Sequence, residues 1–377
     1  MSVKLSFLGA AENVTGSCFL LETEDCKLLV DCGLYQERQF RRRNWEPFAV
    51  DPASIDAVLL THAHLDHCGL LPKLVREGFA GAVYCTDATS EIARIVLADS
   101  AHIQEEDAAF KRKRHKRQGH VPPRPVEALY SVQDAQACSE LFSPVKYKQV
   151  LNIGDCAEAT FHDAGHILGS SMIKVKVPID GEERSILFSG DVGRNNRPIL
   201  KDPTVFDQAD YILIESTYGD RTHETFEDTK IKFAEAVNTA VESGGNIIVP
   251  SFAIERSQEI LYYLNELQLE EKIPHILVFL DSPMAVSVTD VFRHHPEMYD
   301  SEMTELLGKH HSPFAFSGLK MVRSTRESKA INKIKGTIMV IAGSGMCTGG
   351  RIKYHLVEHI SRHQSTIMFV GYQAKGT

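Results

Sequence analysis

Short apolar runs with polar punctuation fill the first two hundred residues. Segments 3–8, 18–21 and 27–30 are β-rich and separated by Gly, Asn and Glu/Asp. That spacing predicts a meander of antiparallel strands. Segment 55–60 is a mostly apolar run and predicts a buried strand, and helical periodicity follows at 70–75. Residues 87–109 read as a long helix, the proline-rich stretch 122–125 ends that segment, and 130–141 predict another helix. A second β-rich block covers 157–162, 171–177 and 185–189. The texture changes after about residue 207. Apolar strand candidates at 211–214, 246–249, 275–280 and 337–341 alternate with helical stretches at 226–241, 255–267 and 353–360. Strand–helix alternation of this kind predicts a parallel-sheet α/β domain. That change in texture divides the chain into two expected domains, 1–207 and 208–377, with no internal repeat or low-complexity linker at the boundary.

Composition narrows the function classes. A chain of 377 residues, 43% hydrophobic and 24% charged, can fill more than one core. A formal charge of −9 argues against a general polyanion binder, so any nucleic-acid contact must come from a local basic surface. Lys111-Arg112-Lys113-Arg114-His115-Lys116-Arg117 has two readings, a solvated helix end or a phosphate-tracking patch. The eight cysteines are scattered without a CxxC pair and read as reduced core thiols. The N-terminus reads as a first strand without a signal-peptide layout, and no apolar run has the length of a membrane span. A cytoplasmic, non-membrane protein is expected.

The chemistry concentrates in Thr61-His62-Ala63-His64-Leu65-Asp66-His67, at the end of the 55–60 strand. In an extended segment His62 and His64 point the same way and can share one ion. Once the chain turns, Asp66 and His67 project differently and can serve a second. Imidazole and carboxylate donors suit Zn²⁺, with Mn²⁺ or Fe as alternatives. One loop cannot close two coordination spheres. His166, between Gly165 and Gly169, is the candidate for the first ion, and Asp191 can bridge both.

Asp31 after a strand, His62/His64/Asp66/His67, His166 and Asp191 resemble, in order, the first four motifs of the metallo-β-lactamase fold. The second half adds Ile214-Glu215-Ser216-Thr217-Tyr218-Gly219-Asp220-Arg221, which looks like motif A of the β-CASP subgroup. The stretches Pro250-Ser251-Phe252-Ala253-Ile254-Glu255-Arg256-Ser257-Gln258-Glu259, Asp281-Ser282-Pro283-Met284-Ala285, Gly343-Ser344-Gly345-Met346-Cys347-Thr348-Gly349-Gly350-Arg351 and Gly371-Tyr372-Gln373 are similar to its prokaryotic RNase members. These are relatives of the cleavage-and-polyadenylation endonuclease subunit. The resemblance covers essentially the whole chain. It implies a metallo-β-lactamase αββα sandwich, incomplete at its C-terminal end, with an inserted β-CASP α/β parallel-sheet domain.

The resemblance also implies a function. The expectation is a zinc-dependent endoribonuclease with two Zn²⁺ ions, with 5′→3′ exonuclease activity as a further implied property, acting on single-stranded RNA as a monomer, a homodimer or part of an RNA-processing complex. Asp31 would orient the histidine loop from outside the metal shell. Asp66 would position the attacking water and accept its proton, and Glu215 would position a motif B histidine. The Gly-rich loop 344–350 leads into a helix, so Ser344, Gly345, Thr348, Gly349 and Gly350 could offer N–H groups to phosphate, or form a tight turn. Arg256 and Arg351 would be phosphate partners or surface ion pairs. The family continues past Gly-Tyr-Gln with motif B and motif C histidines and a return to the lactamase domain, whereas this chain ends at Thr377. A truncated form is therefore expected. The alternatives are a DNA-acting β-CASP nuclease and a catalytically impaired RNA-binding scaffold.

Overall fold

The computed structural model describes residues 3–121, 125–179, 181–220, 222, 226–371 and 373. The chain divides into two compact units. One takes the residues up to Asn195 together with Asp202–Thr217; the other takes Asn196–Lys201 and the chain from Tyr218 onward.

The first unit is built on two sheets. One sheet runs in the order β1 (Lys4–Gly9), β2 (Cys18–Glu22), β3 (Lys27–Val30), β4 (Ala57–Leu59), β5 (Ala82–Thr86) and β6 (Phe142–Val145). Its first three strands are the expected antiparallel meander, and β3 to β6 are parallel. Helices α1 (Leu65–Cys68), α2 (Leu71–Arg76), α3 (Asp87–Gln118) and α4 (Val132–Ser139) occupy its connections. The second sheet takes β7 (Val150–Ile153), β8 (Ala157–Asp163), β9 (Ser171–Ile179), β10 (Glu182–Phe188) and β11 (Tyr211–Leu213).

The sheets pack face to face. Leu28, Val30, Ala57 and Leu59 share a core with Ala159, Phe161, Ile173, Val175 and Phe188. Leu29 and Val58, which point the other way, are equally buried. Strands buried on both faces need apolar residues at successive positions, which is why 55–60 shows no alternation.

Three sequence expectations change here. Segment 211–214, expected in the second domain, forms β11, which pairs in parallel with β10, Ile186 opposite Tyr211, and belongs to the first unit. The helix expected over 87–109 continues through the basic run, since Lys and Arg are good helix formers, and stops at Gly119 in the left-handed conformation. Cys26 and Cys156 are not free thiols. They form a disulfide across a sequence separation of 130, tying the start of β3 to the start of β8. The other six cysteines are free.

The second unit carries a five-stranded parallel sheet in the order β14 (Leu319–Met321), β13 (Leu277–Leu280), β15 (Ile338–Ala342), β12 (Ile247–Pro250) and β16 (Thr366–Ile367). Its helices are α5 (Phe226–Glu242), α6 (Arg256–Leu269), α7 (Pro283–His294), α8 (Ser301–Gly308), α9 (Thr325–Ile331) and α10 (Ile352–His359). Ile248, Val340 and Ile338 are fully buried, as in a sheet covered on both faces. Arg221, Tyr372 and most of the 122–125 stretch, all named above, lie outside the described residues. No described helix is long and apolar enough to cross a membrane.

Candidate metal centre

The site is built where β3, β4 and β10 end. Thr61 follows β4, and His64 caps α1, which carries Asp66 and His67 in its single turn. Asp31, just past β3, is buried and collects the surroundings. Its carboxylate accepts from the Thr61 backbone N–H at 2.8 Å and from the hydroxyls of Thr61 and Ser17, and it lies 2.7 Å from His67 Nδ1. With Nδ1 held there, His67 turns Nε2 toward Asp191, 3.2 Å from Oδ1. Gly33 allows this approach, because a Cβ there would fall 1.6 Å from the carbonyl oxygen of Asp66.

His166 arrives from the loop between β8 and β9. The Ser170 hydroxyl accepts from the N–H groups of His166 and Ile167. The hydroxyls of Thr86 and Thr89, at the start of α3, donate to the Gly169 carbonyl at 2.7 and 2.8 Å. Asp191 sits in the bend after β10. Glu215, just past β11, holds that bend by accepting from the Val192 N–H at 3.1 Å, and it also accepts from Thr217 N–H. Burial raises the Glu215 pKa, partly offset by the Val192 hydrogen bond.

Four donor atoms, from His62, His64, His166 and Asp191, lie within 4.8 Å of one another. His64 Nδ1 is 3.1 Å from His62 Nε2 and 3.2 Å from His166 Nε2. Asp191 Oδ2 is 3.7 Å from His62 Nε2 and 3.5 Å from His166 Nε2. Donors about 2.0–2.1 Å from a tetrahedral ion stand about 3.3–3.4 Å apart, and these four distances bracket that value. Nitrogen facing nitrogen is poor hydrogen bonding but suits a shared cation, so the residues fit a metal.

At His62 the electrostatics agree. Burial lowers the His62 pKa and favours the neutral ring that a metal needs. Burial opposes charge on His67, but Asp31 and Asp191 outweigh it and raise its pKa well above the usual range. Asp191 is held ionised; burial works against this, and the charge of His67 prevails. Asp66 lies in α1 beside these groups, but its carboxylate is not one of the four converging donors.

The remaining site candidates belong to the second unit. Arg256, at the first position of α6, pairs with Glu259 at 2.6 Å. It lines a cavity of about 230 Å³ with Phe233, Ile260, Tyr263 and Phe369. The Gly-rich loop closes on itself. Ser344 N–H donates to the Gly349 carbonyl, and Gly349 N–H donates to the Ser344 hydroxyl. Gly350 is left-handed, and a Cβ there would stand 2.3 Å from the Gly343 carbonyl oxygen. Gly345 accepts from the side chain of Gln373 at 2.7 Å, and Thr348 stands near Ser344.

Arg351 is engaged elsewhere. It pairs with the fully buried Asp281 at 2.6 Å and donates to the carbonyls of Val322 and Arg323. Sequence reasoning missed this cluster, which also includes His355 at 2.7 Å and Ser328. Thr61, Thr86 and Thr89 were missed too. Only Thr61 left a sequence signal, its position directly before the histidines.

Residues 12–251 match the metallo-beta-lactamase superfamily, and residues 257–377 match the Beta-Casp domain. The chain is similar to ribonuclease TTHA0252 of Thermus thermophilus, 38% identical over 98% of this chain and 79% of that protein. It is similar to transcription termination factor FttA of Methanocaldococcus jannaschii, 30% identical over 100% of this chain and 57% of that protein. The chain thus spans little more than half of the termination factor's length. A crystal structure of a protein of unknown function from Enterococcus faecalis V583 shares the fold, with a TM-score of 0.53 at 12% identity over 98% of this chain and 88% of the other.

Proposed function

This chain belongs to the metallo-beta-lactamase superfamily and carries a Beta-Casp domain, and from that premise we propose that it is a zinc-dependent ribonuclease that hydrolyses RNA phosphodiester bonds internally. The observation that carries this reading is the convergence of His62, His64, His166 and Asp191 on one point. The ribonuclease relative supports RNA as the substrate.

His62, His64, His166 and Asp191 would hold one ion. Asp66, His67 and the second oxygen of Asp191 would hold another. Zinc held by these donors would supply Lewis acidity and lower the pKa of water toward about 7. Asp31 keeps Nδ1 of His67 occupied, which commits Nε2 to the site. Glu215 fixes the Asp191 bend through Val192. Asp66 is assigned to receive the proton of the attacking water.

In the second unit, Arg256 and the loop of Ser344, Gly345, Thr348, Gly349 and Gly350 are assigned to RNA phosphates. Arg351 is assigned a different task, bracing the exit of that loop through Asp281. Similarity to a termination factor favours a second reading of the substrate, a newly made transcript.

The test is incubation of the protein with end-labelled RNA and DNA of one sequence, with and without a chelator. Cleavage of RNA that leaves a 3′-hydroxyl and stops with chelator is expected. His64→Ala should slow it by more than the 10–100-fold typical of outer partners, roughly 100-fold or beyond. Chelator-resistant RNA cleavage contradicts the reading. Equal cleavage of DNA moves it to a DNA-acting nuclease.

A further inference from the structure

α3 is 32 residues long, about 48 Å, and its two ends differ in character. The first half is packed: Ala88, Ile92, Ala93, Val96 and Leu97 are buried, and Thr86 and Thr89 hold the loop that carries His166. The last third is exposed on nearly every side. Lys111, Arg112, Lys113, Arg114, Lys116 and Arg117 are all exposed, and so is Phe110 at 65%.

Ordinary helix physics does not account for this charge. The helix dipole favours cations only in the last turn, which leaves Lys111, Arg112, Lys113 and Arg114 outside its reach. Lys111 and Arg114, Arg112 and Lys116, and Lys113 and Arg117 stand three or four residues apart, where like charges destabilise a helix. Glu105, Glu106 and Asp107 lie one to two turns earlier, yet no described ion pair joins them to the run. Arg112 donates to the Val126 carbonyl at 2.7 Å. Lys111, Lys113, Arg114, Lys116 and Arg117 form no ion pair among the described residues. Among these residues neither ion pairs along the helix nor packing against the body offsets this charge, and a polyanion supplies the counter-charge that the run lacks.

We propose that this end of α3 is a phosphate-binding arm that grips single-stranded RNA at a distance from the metal centre. The proposal rests on the ribonuclease reading above. Arg114 lies 27 residues along α3 from Asp87, about 40 Å from the His166 loop. At about 3.4 Å per stacked nucleotide, the arm holds RNA roughly a dozen nucleotides from the cut. Phe110, Lys113, Arg114 and Arg117 share one face, and an exposed ring among cations suits base stacking with backbone contact. The polar circumference leaves no apolar face for a lipid surface to take up.

The experiment compares the protein with a variant carrying Lys111→Gln, Lys113→Gln, Arg114→Gln, Lys116→Gln and Arg117→Gln, since Gln keeps the helix propensity. Anisotropy of labelled single-stranded RNA is read over a salt series, with one strand of about 30 nucleotides and one of about 6, too short to reach both places. On the long strand the variant should bind at least about 10-fold more weakly at low salt. Its salt slope should fall by about 0.7 for each lost contact. Cleavage of the short strand should be unchanged. Phe110→Ala with Arg114→Gln, confined to one face, carries the comparison if circular dichroism shows helix loss in the fivefold variant.

Unchanged affinity and slope on the long strand overturn the arm while metal-dependent cleavage of the short strand leaves the ribonuclease reading standing. Absent cleavage of either strand, with salt-dependent binding lost in the variant, overturns that reading and leaves the arm. Binding to phosphatidylserine vesicles through these residues, with none to RNA, also overturns the proposal.

Discussion

Asp31 is nearly fully buried, and its two oxygens meet Thr61 through backbone and hydroxyl, Ser17, and the far nitrogen of His67. Those contacts add to the backbone bonds that anchor the histidine loop, in which the N–H groups of Ser17, Cys32 and Leu34 donate to the carbonyls of Asp66, His67 and Leu65. Asp31→Asn keeps the volume but replaces one acceptor oxygen with a donor facing His67 or Thr61. Metal affinity should fall by about 10–100-fold, read by zinc titration with a competing indicator. An unchanged affinity would remove Asp31 from the account. The histidines were legible because their spacing carries the chemistry within six residues. The position of Thr61 was legible beside them but its role was not, because that role depends on a carboxylate thirty positions earlier. Arg351 illustrates the opposite limit. An arginine beside a glycine-rich loop looks the same in sequence whether it faces a phosphate or, as here, a buried aspartate.

At the scale of elements, the site depends on how strand ends are held. β11 adds to the sheet beside β10, and Glu215 just beyond it reaches back to the bend that carries Asp191. Glu215→Ala should therefore weaken zinc binding with the fold intact, losing hydrogen bonds worth about 1–3 kcal/mol. Glu215→Gln should restore much of the affinity, because an amide oxygen can still accept from Val192. If alanine and glutamine behave alike in the titration, Glu215 does not act through that bond. Sequence periodicity placed β11 with the wrong sheet because three apolar residues look alike in either setting. The strands of the first meander were legible because Gly and Asn separate β1 from β2, and Glu and Asp separate β2 from β3. β5, β6 and β7 were not singled out, since Ala82–Thr86 runs straight into α3, and Phe142–Val145 and Val150–Ile153 each carry a polar residue within four positions. The continuation of α3 through its basic run needed the left-handed Gly119 to show where the helix stops.

At the scale of the molecule, each unit has its own internal fastening. The first has a disulfide between Cys26 and Cys156 that no local pattern announces, because its partners are 130 residues apart. The second has Asp281, buried at the end of β13 and bonded to Ser328, Arg351 and His355. Burial opposes its charge, but those bonds win and lower its pKa. A carboxylate depressed in the folded state contributes stability that is fully present above its unfolded pKa, about 4, and is lost as pH falls through the folded value. Acid unfolding of this unit should accordingly steepen below about pH 4. Asp281→Asn should flatten that dependence and cost about 3–5 kcal/mol at neutral pH, measured by denaturant titration at several pH values. A variant as stable and as acid-sensitive as the parent would contradict it.

The central claim is that His62, His64, His166 and Asp191 gather around a metal ion. Calorimetric titration of chelator-stripped protein with zinc tests it most directly. The account predicts saturable, stoichiometric binding, about two ions per chain, with the His64→Ala variant losing the tighter one. Absence of saturable binding, or binding that His64→Ala leaves unchanged, would contradict it.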